Sequence, residues 1–250
     1  MNLIAILICL TIQKLLNISF VSKQSWFEDY LKKWHAVLAK TNGYIGLFLL
    51  VVPFLLILGA LHFISYGHFF GLPHLLLLIL VIFVGVDFKT QTKDQQPNCK
   101  AIFMYAFESL FAPLFWFLAL DIYGLALYYL VANFYKGAVN LGPTYSRSSK
   151  AAKMVQNILD WIPMRILALS YALAGQFVTA FTYCYQEILS ASMDVVFFVV
   201  QTALVSIGLG FDKESDSAVK EKQAAISLAS RTLLIWIVAI VLFTFGKWVA

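Results

Sequence analysis

The chain has 250 residues, of which 61% are apolar and 12% charged, with a mean hydropathy of +0.82 and a formal net charge of +5. Soluble domains carry about 25% charged residues, so this chain has too few to cover an ordinary aqueous surface, which implies an integral membrane protein. The basic excess is not a nucleic-acid footprint. Its lysines and arginines fall between apolar segments, where the positive-inside bias and anionic lipid headgroups place them.

Residues 2–20 open the chain, with Gln13 and Lys14 among them. Two readings stay open: a span with Lys14 snorkelling to the cytoplasmic side, which is favoured, or an interfacial amphipathic helix. Lys14 follows the apolar run 3–10 and no small-residue cleavage site stands out, so a cleavable secretory signal is not expected. Residues 45–66 form the clearest span, with Pro53 expected to kink it. A leucine-rich segment at 75–87 follows. The uncharged Gly/Pro-containing connection from Gly67 to His74 makes the pair a hairpin turning away from the cytoplasm. Lys23, Lys32, Lys33 and Lys40 before it, and Lys89, Lys93 and Lys100 after it, place both flanks inside. The acids Glu28, Asp29, Asp87 and Asp94 in these flanks count for little in that rule.

Read as one span, residues 101–137 would put the segment 136–165 outside. That segment carries Lys136, Arg147, Lys150, Lys153 and Arg165 against Asp160 alone. The positive-inside rule opposes this. Asp121-Ile122-Tyr123-Gly124 supplies turn formers, so two antiparallel helices, 101–120 and 123–137, are expected with their turn outside. A polar linker follows at 142–149, then helices at 151–160 and 163–173, with Pro163 in the first turn of the second. Residues 194–210, interrupted by Gln201, are ambiguous between a thin span and a packed segment. Residues 211–222 are strongly charged and expected to be solvated, and the final span occupies 232–249 with Arg231 at its inner edge. The expected fold is therefore all-α: a single polytopic membrane domain over residues 1–250 with about five or six membrane helices and a cytoplasmic or interfacial helical segment at 143–231.

The three cysteines, Cys9, Cys99 and Cys184, are scattered, and His35, His62, His68 and His74 lack metal-ligand spacing. Neither a disulfide framework nor a metal site is expected. Nucleophilic triads, phosphate loops and zinc-hydrolase motifs are missing from the sequence, and no cofactor is expected. Four polar residues stand out for their setting: Glu108, Asn133, Asp160 and Arg165. A charged group at membrane depth is a functional candidate by default. Each also has a structural reading. Glu108 would pair near a helix end, Asn133 would bond across helices, and Asp160 and Arg165 would pair around the Pro163 turn. Trp116 and Trp161 read as interfacial anchors.

Two motifs occur together: Ala112-Pro113-Leu114-Phe115-Trp116, and Asp160-Trp161-Ile162-Pro163-Met164-Arg165 followed by Ala172-Leu173-Ala174-Gly175. The pair resembles the AmpE / CbiB (CobD) membrane family, in which an APLFW-type segment precedes an NWIP- or DWIP-type segment and ALAG. Pro113, Phe115, Trp116, Trp161 and Pro163 carry the match, and the end of the chain, through Ser230-Arg231 to Trp236 and Gly246, is similar too. The resemblance implies one of two functions. One branch is adenosylcobinamide-phosphate synthase; the other is AmpE, an inner-membrane protein tied to regulation of β-lactamase induction.

The corrin-modifying branch carries ENxxDG, NTLDSM and RLDD segments. Their counterparts here keep one acid, Glu108, in Met104–Ser109; place Lys136 after Asn133-Phe134-Tyr135; and read Met154-Val155-Gln156-Asn157. ATP-dependent carboxylate activation calls for acids that hold Mg²⁺ and groups that stabilise phosphoryl charge, and that acid set is largely missing. The expectation is thus an AmpE-like, multi-pass protein of the bacterial inner membrane, a non-enzymatic accessory or sensor in cell-wall-linked signalling. Its expected partners are the lipid bilayer and a cell-wall-recycling or signalling protein, with no nucleic acid. A divergent synthase and a small transporter subunit are the alternatives. The topology makes a direct prediction: a reporter fused after Gly142 should read cytoplasmic, and a periplasmic signal there would sink the 101–137 hairpin.

Overall fold

The computed structural model describes residues 2–16, 25–34, 41–65, 72–87, 99–140, 142, 145–187, 195–208 and 218–249. All of its regular elements are helices: α1 (Asn2–Leu16), α2 (Ser25–Lys33), α3 (Gly43–Ser65), α4 (Leu72–Gly85), α5 (Cys99–Ala106), a π-turn (Phe107–Phe111), α6 (Ala112–Asn140), α7 (Ser146–Ala174), α8 (Phe177–Glu187), α9 (Val195–Ser206) and α10 (Ala218–Val249). His35, His68 and the turn around it, the Lys14 and Glu28 side chains, Lys23, Lys40, the flank from Lys89 to Asp94, and the charged residues 211–217 lie outside the described residues.

Three helical stretches among the described residues are long and apolar enough to cross a membrane: Gly43–Ser65, Cys99–Asn140 and Lys220–Leu242. The first runs unbroken through Pro53. The second is not one rod. At Leu120 and Asp121 the backbone leaves helical geometry, and Asp121 takes a left-handed φ of 59°. Its carboxylate accepts a hydrogen bond from the Ile122 N–H at 2.9 Å, giving the restarting helix a local acceptor. A Cβ built on Gly124 would overlap the carbonyl oxygen of Trp116, eight residues earlier. On a continuous helix eight residues rise about 12 Å, so this approach requires the chain to fold back. The second arm, 122–140, passes close to the end of the first at Gly124.

The chain divides into two compact units, Met1–Phe88 with Ala112–Asp160, and Lys89–Phe111 with Trp161–Ala250. In the first, α4 packs on α1, α3 and α6, while α6 also takes α2 and α3. Gln13, buried on α1, donates to the Val86 carbonyl at 2.8 Å and so satisfies a C-terminal carbonyl of α4. Asp87, next in the chain, is buried as well, although its sequence setting places it in a solvated flank.

In the second unit α9 packs on α5, α8 and α10, and α5 also meets α10. With 12 residues, α9 is about 18 Å long, short of the roughly 30 Å hydrocarbon core. Gln201, Thr202 and Ser206 are all buried within the described part of this segment. Two further expectations are corrected. The polar residues 146–149 begin α7 instead of forming a linker; serines suit a first helical turn as well as a loop. The separate helices expected at 151–160 and 163–173 are one helix, with Pro163 inside it. Arg231 is exposed and lies within α10.

Gly124→Ala is expected to destabilise the detergent-solubilised protein by about 1–3 kcal/mol, because backbone cannot yield to the new methyl. Gly59, whose added Cβ would meet only the Tyr123 ring at 3.7 Å, should accept alanine without loss. Equal thermal-unfolding shifts for the two variants would contradict the fold-back of α6.

Candidate functional site

Pro163 sits inside α7 without an N–H, so the carbonyl four residues earlier, on Leu159, loses its helical partner. Trp116 supplies the replacement: its indole Nε1 donates to the Leu159 oxygen at 3.1 Å. This is how an interior proline is tolerated in an apolar protein, with a neighbouring side chain re-satisfying the freed group. It also explains why α7 does not stop at the proline. Trp116 is therefore a bonded structural element and not only an interfacial anchor.

One residue further on, the buried carboxylate of Asp160 accepts from the Tyr128 hydroxyl at 2.9 Å. Gln156 Nε2 donates to both of its oxygens, at 3.2 and 3.3 Å. Tyr128, Gln156 and Asp160 are all buried, and Gln156 Oε1 has no hydrogen-bond partner in the described structure. The spacing of Gln156 and Asp160, one helical turn, puts both side chains on one face of α7. Tyr128 comes from the second arm of α6, which the fold-back at Asp121 carries into place.

Of the four candidate residues, the first unit carries Asn133 and Asp160, and the second carries Glu108 and Arg165. Asn133 is buried, and its amide donates to the Tyr129 carbonyl at 2.9 Å, one turn back in its own helix. Glu108 lies on the π-turn Phe107–Phe111 and is partly exposed. That turn ends immediately before Ala112-Pro113, and widened turns of this kind are common at functional sites. Arg165 donates through Nη1 to the Trp161 carbonyl at 3.0 Å, and its guanidinium lies 3.9 Å from the centre of the Trp161 ring. The arginine thus stacks on an exposed indole one turn back. Asp160 and Arg165 lie on one helix that runs through Pro163, on either side of the boundary between the two units.

The second unit explains further motif positions. Trp236 Nε1 donates to the Ser170 hydroxyl at 3.0 Å, and its ring meets Phe111 edge-on. A Cβ on Gly175 would overlap the Ser206 carbonyl, which accepts from the Gln176 N–H at 2.9 Å. The glycine that closes ALAG is thus required by the close passage of the α9 C-terminus. Tyr171 is wholly buried between Phe103 and Phe111, and its hydroxyl has no hydrogen-bond partner in the described structure.

Tyr128, Gln156 and Tyr171 carry no signal in a single sequence as site residues. Only the helical spacing of Gln156 from Asp160 could have flagged one of them. His62 Nδ1 lies 2.8 Å from the Tyr123 hydroxyl, and its ring centroid is 4.9 Å from that of His74. Among the described residues no cluster of three or more His, Cys, Asp or Glu could hold a metal ion, and Cys9, Cys99 and Cys184 are free and buried.

Removing the Tyr128 hydroxyl (Tyr128→Phe) is expected to lower unfolding stability by about 1–2 kcal/mol, because the buried Asp160 oxygen loses a donor. An unfolding curve superimposable on wild type would show that Asp160 does not depend on Tyr128.

A model of one family, described as regulatory signalling modulator protein AmpE, matches residues 82–249. No curated protein and no solved structure matches the chain.

Proposed function

The chain belongs to the AmpE family of regulatory signalling modulator proteins, and from that premise we propose that it is a multi-pass inner-membrane protein acting as a non-enzymatic accessory or sensor in cell-wall-linked signalling, with regulation of β-lactamase induction as its output. The observation that carries this reading is the family match over residues 82–249, a range that contains both motifs. The chemistry of the Asp160 region supports it. Where the enzymatic branch carries paired carboxylates, this chain has Gln156 and Asn157. The acid that does occur is engaged by Tyr128 and Gln156. A carboxylate held by neutral donors within one unit suits a structural corner better than a Mg²⁺ cradle, which needs oxygen ligands in near-octahedral array.

The partner in this reading is a cell-wall-recycling or signalling protein. The three apolar helical stretches fit a protein that meets it from the bilayer. Deleting the gene is expected to change β-lactamase induction and the response to muropeptide accumulation. Unchanged induction under several inducers would contradict the proposal. Conversion of cobyric acid and aminopropanol phosphate by the purified protein with ATP and Mg²⁺ would replace it with the synthase reading.

A further inference from the structure

The first unit contains a groove of about 240 Å³ between α3, α4 and the second arm of α6. Its lining is apolar side chains throughout, with the Tyr129 hydroxyl as the one side-chain polar group. Leu125 and Leu130 are buried at its floor, whereas Ile57 (60% exposed), Leu61 (47%) and Leu80 (62%) form an open rim. Gly85 sets the depth. A Cβ there would lie 2.9 Å from Leu125 Cδ1, so the glycine lets α4 and α6 close beneath the groove while the rim stays apart.

We propose that this groove is a binding site for one hydrocarbon chain of a membrane lipid. Four observations fix the occupant. The lining offers no charge and no amide, so it cannot orient a polar ligand. The lining gives water little to bond to either, since an ordered water needs about 2–4 polar partners. Two of its three walls come from helical stretches apolar enough to cross the bilayer, Gly43–Ser65 and Cys99–Asn140. Its open side therefore faces hydrocarbon, where lipid chains are the abundant apolar species. Lastly, helices in lipid gain little from apolar burial itself. An unfilled groove forfeits dispersion contacts along its whole length, and a flexible chain restores them at little cost in fit. The chain is thereby held in register with α6 two turns from the Asp121 break. This goes beyond the signalling role and stands or falls separately from it.

The test uses the full-length protein in nanodiscs containing a phospholipid with a diazirine near the middle of one acyl chain. After photolysis and digestion, adducts should concentrate on groove residues such as Ile57 and Tyr129. They should be sparse on Phe48 and Phe63, which are also exposed on α3 but stand outside the groove. Ala126→Trp, which fills the groove, should abolish the concentrated labelling and remove one immobilised chain per protomer from the spin-label spectrum of a chain-labelled phospholipid. Even labelling along α3 in the wild-type protein would overturn the proposal without recourse to any variant. So would a lack of lipid adducts at the groove together with rim residues of two copies joined by a separate bifunctional cross-linker, because a second copy would then be the occupant.

Discussion

A single backbone carbonyl, on Leu159, constrains how this protein can be built. Pro163 removes the N–H that would bond it, and in an apolar setting an orphaned carbonyl costs on the order of several kcal/mol. Trp116 resolves the conflict by donating its indole N–H. That bond fixes the first arm of α6 against α7 at the level of Leu159. The fold-back at Asp121 then brings the second arm to the same place, where Tyr128 meets Asp160 one residue beyond. The two motifs that mark the family are thus the donor and the cause of one vacancy. Neither is useful without the other, which is why their co-occurrence is informative and either alone is weak.

The same logic recurs through the structure. Buried polar groups are answered locally: Gln13 by the end of α4, Ser170 by Trp236, Asp160 by Tyr128 and Gln156. Glycines occur where one backbone passes close to another, at Gly124 against Trp116 and at Gly175 against Ser206. Such a scaffold uses its polar side chains to hold helices together. Among the groups that depart from the pattern are the Gln156 Oε1 acceptor and the Tyr171 hydroxyl, both buried and without hydrogen-bond partners in the described structure.

Much of this was legible in the sequence, and the failures share a cause. The helical class follows from composition and hydropathy alone. The break at Asp121–Gly124 follows from turn chemistry combined with the charge on residues 136–165, two signals that agree. Pro163 was misread as a helix start because local rules treat proline as a boundary. Whether it is one depends on a donor 43 residues away in α6, which no local window contains. Trp116 reads as a generic membrane anchor for the same reason: its bond reaches a helix 43 residues away. The burial of Asp87 and Gln156 likewise depends on neighbouring helices that no local window contains. The helix at 195–206 was ambiguous because short apolar runs read alike whether packed in protein or in lipid.

The central claim is that Trp116 is required because Pro163 is present, and a double-mutant cycle in unfolding free energy tests it most directly. Trp116→Phe alone should lose about 1–3 kcal/mol by leaving the Leu159 carbonyl unsatisfied. In a Pro163→Ala background the new N–H at position 163 can take that carbonyl, so the same substitution should lose far less, with a coupling of about 1 kcal/mol or more. Strictly additive losses would contradict the account, because they would mean that the indole and the proline act independently.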